Sequence, residues 1–228
     1  MSLFAIADTH LSFGTNKPMD SFPGWNNYTD RLQSNWNSIV TDSDTVVIAG
    51  DISWAMNFDE LTADFDYIHK LNGEKIILKG NHDYWWNTAS KMNKFIESKG
   101  FDTIKVLHNN SFTVGDVSVC GSRGWMFESE EEHDEKILNR ELQRIKISID
   151  SAECEEKIIF LHYPPLTANL KCEEIISLLN ENGIKKCFYG HLHGVAAKIA
   201  VDGIVDGIDF KLISCDRLNF VPKLIKKF

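Results

Sequence analysis

A chain of 228 residues, 43% hydrophobic and 25% charged, can bury a large core, and this balance excludes a disordered or membrane-embedded class. A net charge of -9 argues against a domain whose main work is gripping duplex DNA, because that affinity rests on Lys and Arg neutralising phosphates; a nuclease with a local basic groove stays open. The five cysteines, Cys120, Cys154, Cys172, Cys187 and Cys215, are widely spaced without a C-x-x-C pair and read as free thiols of a reducing compartment.

No composition shift divides the chain, so one domain over residues 1–228 is expected. The N-terminus lacks a positive leader, and no run approaches the roughly 20 apolar residues that span a bilayer. The expected location is cytoplasmic.

Leu3 to Ala7 reads as a buried strand that ends on Asp8-Thr9-His10. Residues two apart in extended chain point to one side, so Asp8 and His10 can grip one metal. Ser12 to Thr29 carries Gly14, Pro18, Pro23 and Gly24 among Phe13, Phe22, Trp25 and Tyr28, and is expected to be a long loop over the site. Asp30 reads as the N-cap of a helix through Leu32, Trp36, Ile39 and Val40.

Thr45 to Ala49 is a second buried strand ending on Gly50-Asp51, followed by a helix with Phe58, Leu61, Phe65, Ile68 and Leu71 on one face and a stop at Gly73. Lys75 to Leu78 is a third strand and delivers Gly80-Asn81-His82-Asp83. A helix over Ala89 to Ser98 ends at Gly100. Strand, helix and strand with short links make a parallel βαβ sheet, and such sheets bind ligands at the carboxyl ends of their strands.

From Thr103 the rhythm changes. Ile104 to Leu107 is a short strand, and Phe112 to Val114 and Val117 to Val119 flank the two-residue turn Gly115-Asp116, so a second, partly antiparallel sheet is expected to begin here. The acidic run Glu128 to Glu135 reads as a solvated approach to a helix with Leu138, Leu142, Ile145 and Ile149 on one face. Ile158 to Leu161 is a strand ending on His162-Tyr163-Pro164-Pro165, where the prolines force a turn. A helix over Ile175 to Leu179 is capped by Gly183, and Lys186 to Tyr189 leads into Gly190-His191-Leu192-His193. Ala196 to Val201, Ile204 to Ile208 and Phe210 to Cys215 are expected as short strands, and Lys223 to Phe228 as a basic tail without a motif.

Asp8 with His10, Asp51, Asn81 with His82 and Asp83, His162, and His191 with His193 all stand at strand ends. They include five of the eight histidines. His69, His108 and His133 fall in a helix flank, a turn and a charge run and read as surface residues.

The order D-x-H, G-D, G-N-H-D, H and G-H-x-H resembles the calcineurin-like metallophosphoesterase superfamily and spans residues 8 to 193. The resemblance implies a four-layer α/β/β/α sandwich of two mixed sheets. It implies one metal on Asp8, His10, Asp51 and His193 and another on Asp51, Asn81, His162 and His191, with Asp51 bridging. Two metals about 3.5–4 Å apart clamp a phosphoryl group and yield a bridging hydroxide near neutral pH. Imidazole, carboxylate and amide oxygen together suit Mn, Fe, Zn or Co better than Ca.

The same resemblance gives His82 the role of transition-state donor or general acid. Asp83 either orients a neighbouring group or caps the following turn. Protein phosphatases of the superfamily carry G-D-x-x-D-R, whose second Asp orients the catalytic His and whose Arg holds phosphate. Here the stretch is Gly50-Asp51-Ile52-Ser53-Trp54-Ala55, which argues against a protein phosphatase and leaves open what orients His82. Arg123 is a candidate phosphate contact. Trp54, Tyr84-Trp85-Trp86 and Trp125-Met126-Phe127 are either core packing or an aromatic rim for the substrate.

The expected reaction is hydrolysis of a small-molecule phosphomonoester or phosphodiester, nucleotide-like substrates included, by a metal-dependent phosphatase or phosphodiesterase. A nuclease of the same superfamily is the second reading, and no membrane partner is expected. A scaffold that kept the fold and lost catalysis is the reading from another class. It would show broken ligand sets, whereas all seven ligand positions and His82 are filled here.

Overall fold

A computed structural model describes residues 1–125 and 135–228. The strands are β1 (Ser2–Ile6), β2 (Thr45–Ala49), β3 (Glu74–Leu78), β4 (Ile104–Val106), β5 (Ser111–Val114), β6 (Val117–Ser122), β7 (Glu156–Leu161), β8 (Lys186–Tyr189), β9 (Gly203–Val205), β10 (Ile208–Leu212) and β11 (Lys223–Lys227). The helices are α1 (Tyr28–Ile39), α2 (Phe58–Lys70), α3 (Ala89–Lys99), α4 (Glu135–Asp150) and α5 (Glu173–Glu181). One sheet runs β11-β1-β2-β3-β4 and the other β5-β6-β7-β8-β10-β9.

Strand alternation builds the layers. Phe4, Ile6, Val46, Ile48 and Ile77 face one way and pack under Leu32, Trp36, Leu61, Phe65, Met92 and Phe95 of α1, α2 and α3. Leu3, Ala5, Val47, Ala49, Ile76 and Leu78 face the other way and meet Val117, Val119, Ile158, Phe160 and Phe188 of the second sheet. On that sheet's outer face, Ile159, Leu161, Cys187, Tyr189 and Phe210 pack against Leu138, Ile145, Ile175 and Leu179 of α4 and α5. Three apolar layers between four of backbone make the α/β/β/α sandwich.

Several local expectations are corrected. The N-cap of α1 is Asn27 in the left-handed region, and Asp30 lies inside the first turn. Within residues 12–29, Met19 to Ser21 form a 3-10 turn, and Met19 and Trp25 are buried in the core. β4 pairs in parallel with β3, so it closes the first sheet and the second begins at β5.

Ala196 to Ile199 is a 3-10 turn, and the strand expected over Ile204 to Ile208 breaks at Asp206 and Gly207 into β9 and β10. The basic tail is β11, antiparallel to β1. Its lysines obscure the apolar signal, and on an edge strand they discourage pairing with other chains. Of the expected acidic approach, residues 128–134 lie outside the described residues, as do Met126, Phe127 and His133.

Among the described residues no helix is long and apolar enough to cross a membrane.

Candidate metal centre

Parallel register brings the strand ends to one edge. Ile6 pairs with Ile48 and Ala49 with Leu78 in one sheet, and Leu161 and Leu212 both pair with Tyr189 in the other. The sheets are joined at this edge by the parallel bridge between Ala7 and Ser214. The chain then leaves each strand in tight turns, with Asp8, His10, Asp51 and His191 all at positive φ. This backbone is uncommon for L-residues, and Asp and His are among those that tolerate it best. Gly80 shows why glycine precedes a ligand position: a Cβ on it would collide with the Asp51 carboxylate.

Two groups of donors result. Asp8, His10 and His193 form one and Asp51, His162 and His191 the other, with the ligand atoms of each group within 4.8 Å of one another. Asn81 Oδ1 lies 2.7 Å from His162 Nε2 and 2.9 Å from His191 Nδ1. Asp51 stands between the groups, its Oδ1 3.4 Å from His162 Nε2 and its Oδ2 3.8 Å from His10 Nε2. His162 Nδ1 donates to the Ala49 carbonyl at 3.1 Å, which turns Nε2 inward toward the Asn81 and Asp51 oxygens. A buried mixed nitrogen and oxygen set of this kind fits a pair of first-row transition metals.

The backbone is laced to the same carboxylates. Both Asp8 oxygens accept from the His191 N–H at 3.0 Å, and Asp51 Oδ1 accepts from the His82 N–H at 2.8 Å. Burial opposes the charges, yet the neighbours decide the outcome. Burial alone would lower His162, but Asp51 and Asp8 push it up to about 9. His193 is likewise raised to about 10, against burial, by Asp8 and Asp216. Burial raises Asp51, and the His162 and His10 partners override it and hold the carboxyl well below its ordinary range. At His10 burial wins and lowers the imidazole to about 4. The two ionised carboxylates draw either protons onto the neighbouring imidazoles or metal cations between them.

The profile of the Calcineurin-like phosphoesterase family matches residues 1–195. The chain belongs to that family. Its fold is also similar to two solved structures: a protein of unknown function from Aquifex aeolicus, at 14% identity and TM-score 0.52 over 98% of this chain and 95% of that one, and the phosphopantetheinyl hydrolase of Mycobacterium tuberculosis, at 14% identity and TM-score 0.58 over 100% and 96%. An uncharacterized protein of Methanocaldococcus jannaschii is 28% identical over 119 residues, which are 49% of this chain and 62% of that protein. The chain thus spans less than two thirds of that relative's length. Metallophosphoesterases of the family use a dinuclear metal centre, and the two donor groups supply the matching protein side.

Around the candidate metal centre, the remaining expected residues separate. His82 faces a cleft of about 580 Å3 together with His10, His193, Trp25, Trp54 and Asp216. Trp54 stacks on His10 at 4.9 Å between ring centroids and tilts over His82 at 4.5 Å. Its indole N–H points to Met19 Sδ at 3.4 Å, and Lys17 Nζ lies 5.1 Å from its ring centre.

Trp85 and Asp83 lie outside the lining of this cleft. Trp85 is 2% exposed, packs edge-on to Phe65 and donates its N–H to the Ser53 carbonyl at 3.3 Å, so it belongs to the core. Asp83 is fully buried. Its Oδ1 accepts from Ile52 N at 2.8 Å and its Oδ2 from Gly80 N at 2.7 Å, tying the loop after β2 to the loop after β3. Burial, reinforced by the nearby Asp51 charge, raises its carboxyl to about 7. Arg123 lies outside the cleft of His82, lining a different cavity with Lys79 and Arg144.

Three contributors were not singled out in the sequence. Asp216 Oδ1 lies 3.0 Å from His193 Nδ1, and its Oδ2 accepts from Gly194 N at 2.9 Å. Cys215 donates its thiol to the Asp8 carbonyl at 2.8 Å. Both follow β10, and the available signal was positional: a polar residue just beyond an apolar strand, as at Asp8 and Asp51. Asp64, buried in α2, accepts from Ser53 Oγ and, at 2.7 Å, from Phe13 N, joining the loops after β1 and β2.

Proposed function

We propose that this chain is a dinuclear-metal-dependent phosphoesterase acting on a small phosphomonoester or phosphodiester whose alcohol part is apolar or flat. The observation that carries it is the pair of donor groups, Asp8, His10 and His193 beside Asp51, His162 and His191, flanking the Asn81 amide oxygen. Asp8, His10, Asp51 and His193 would hold one metal and Asp51, Asn81, His162 and His191 the other. When bound, such a pair supplies Lewis-acid polarisation of the phosphoryl group and an acidified water as nucleophile.

The protein's own residues do the rest. His82 faces the cleft with a neighbourless Nδ1 and carries no carboxylate partner among the described residues, so its imidazole is available to donate a proton to the departing alkoxide. Met19, Phe22, Trp25 and Trp54 wall the cleft and supply the apolar surface against which an organic group packs. Asp216 accepts from His193 and fixes which ring nitrogen faces Asp8.

The test is a panel of p-nitrophenyl phosphate and bis-p-nitrophenyl phosphate with Mn, Fe, Zn and Co supplied separately. Hydrolysis of at least one class is expected, with kcat falling roughly 100-fold or more in His82→Ala. Absence of turnover with every metal, despite metal binding, would remove the enzymatic reading and leave a scaffold.

A further inference from the structure

A second cavity, of about 250 Å3, opens where the end of β3, the turn after β4, the end of β6, helix α4 and the N-terminal end of α3 meet. Lys79, Arg123 and Arg144 line it, with His108, Asn87, Thr88 and Asn109 beside them. Among the described residues no carboxylate lines it, although the chain as a whole carries a net charge of -9. Glu141 offsets Arg144, whereas Lys79 and Arg123 pair with no carboxylate among the described residues, and cations left in this way favour an anion beside them.

Two donors reinforce the charge argument. Among the described residues, Arg123 Nε and Trp86 Nε1 are buried without a hydrogen-bond partner, and both residues line this cavity. Each is an N–H that can donate and cannot accept. A buried donor left without an acceptor is destabilising, so a group rich in acceptors is the complement of the site. The N-terminal end of α3 adds the partial positive charge of the helix dipole, its Lys91 N–H already capped by Thr88 Oγ1.

The cations are also held in place. Glu141, which is 1% exposed, accepts from Ser122 Oγ, from Gly124 N at 2.9 Å and from Arg144 at 3.2 Å, anchoring the end of β6 and one guanidinium together. The Arg123 guanidinium lies 5.9 Å from the Tyr163 ring centre. Its carbonyl accepts from His162 N at 3.1 Å and from Tyr163 N at 2.8 Å. Lys79 directly precedes Gly80-Asn81. The cavity thus borders the loops of the metal centre, but none of the candidate metal ligands lines it.

We propose that this cavity binds a phosphate group, free or carried on a small molecule, separately from the metal pair. Donors just beyond β3 and β6, just before α3 and on α4 line it, and a tetrahedral acceptor with several oxygens can meet more of them than a planar carboxylate. Its volume lies just below the roughly 300–1,000 Å3 of drug-sized ligand pockets. Guanidinium groups favour phosphate because two parallel N–H bonds match two of its oxygens. The inference does not depend on hydrolysis at the metal centre.

Calorimetry and tryptophan fluorescence of the full chain, stripped of metal by a chelator, test it with inorganic phosphate as the probe. Saturable binding is expected to persist without metal. Arg144→Gln, at a half-exposed position, should weaken it roughly 10-fold or more, as loss of a charge-assisted bond does. Trp86→Phe should weaken it and abolish the fluorescence change, while Arg217→Gln, basic but elsewhere, should leave it unchanged. Glycerol 3-phosphate binding with the same dependence on Arg144 would show that a carried phosphate is accepted. Its failure beside phosphate binding would show that the free ion is the ligand.

Three results would overturn the proposal: no saturable phosphate binding in the stripped protein, equal affinity in wild type and Arg144→Gln, or acetate binding as tightly as phosphate. Displacement by a single-stranded oligonucleotide that depends on Arg144, with no binding of small phosphates, would also overturn it by giving the site to nucleic acid.

Discussion

Trp54 lies over His82 with ring centroids 4.5 Å apart and planes inclined by 48°. Among the described residues no carboxylate is paired with His82, so under the proposed function packing against Trp54 would hold the ring. A ring positioned by a face keeps both nitrogens available, but it loses its place when that face is removed. Trp54→Ala is therefore expected to lower kcat on p-nitrophenyl phosphates by roughly 10-fold, the scale expected when a catalytic group loses alignment. Trp54→Phe should retain most of it. Steady-state kinetics with metal content measured in parallel checks this, since a loss of metal would indicate damage through His10 instead.

Asp216 acts on the metal centre through His193. Partners that orient a ligating imidazole typically contribute about 10–100-fold in metal affinity or activity. Asp216→Ala is expected to weaken the site containing His193 by that amount while leaving the fold intact, because the carboxylate is near the surface of the cleft. Metal competition titration against a chromophoric chelator reads the affinity, and an unchanged value would show that Asp216 only terminates the turn at Gly194.

Trp85 and Asp83 should register in stability. Trp85→Ala removes a core side chain that is 2% exposed and should cost about 3–5 kcal/mol. Asp83→Ala leaves the buried N–H groups of Ile52 and Gly80 without their acceptor, at about 1–3 kcal/mol for each. Urea unfolding of the two variants against Trp54→Ala separates the roles: large stability losses for the first two, and a kinetic effect with a smaller stability change for the third.

Asp64 gives the stability a pH dependence of definite sign. Burial raises its carboxyl from 3.8 to about 6, against the opposing hydrogen bonds from Ser53 and Phe13. A raised folded pKa means that the folded state binds the proton more tightly than the unfolded state. Its contribution is therefore fully present below the unfolded value and is lost as pH rises through the folded value. Between pH 3.8 and about 6 the slope from this group is at most about 1.4 kcal/mol per pH unit. Asp64→Asn removes the titration. The stability of wild type relative to Asp64→Asn, from urea unfolding of metal-free protein, should fall as pH rises across this window and level off above it. A flat difference would show that Asp64 titrates alike in the folded and unfolded states.

The sandwich and the edge that carries the chemistry were legible because both rest on short-range patterns. Buried strands such as Thr45 to Ala49 are unbroken apolar runs, and each ends on a residue able to bind a metal or move a proton. The tail over Lys223 to Phe228 was illegible for the opposite reason: β11 draws its stability from the backbone of β1, while its lysines hide the alternation. The assignment of β4 to the first sheet was likewise a matter of pairing with β3, which its three residues do not encode.

The order of Asp8, His10, Asp51, Asn81, His82, His162, His191 and His193 along the chain, with the family it indicates, was determined by the sequence alone, because strand periodicity and glycine turns are local properties. Only the tertiary structure decided which of the flanking groups meet. It buried Trp85 and Asp83 while turning Trp54 toward His82, it brought Asp216 across from β10 to His193, and it gathered Lys79, Trp86, Arg123 and Arg144 around one cavity. Those outcomes depend on how two sheets pack and where their loops cross, and contacts between residues tens of positions apart are set by that packing and not by the neighbours of any one residue.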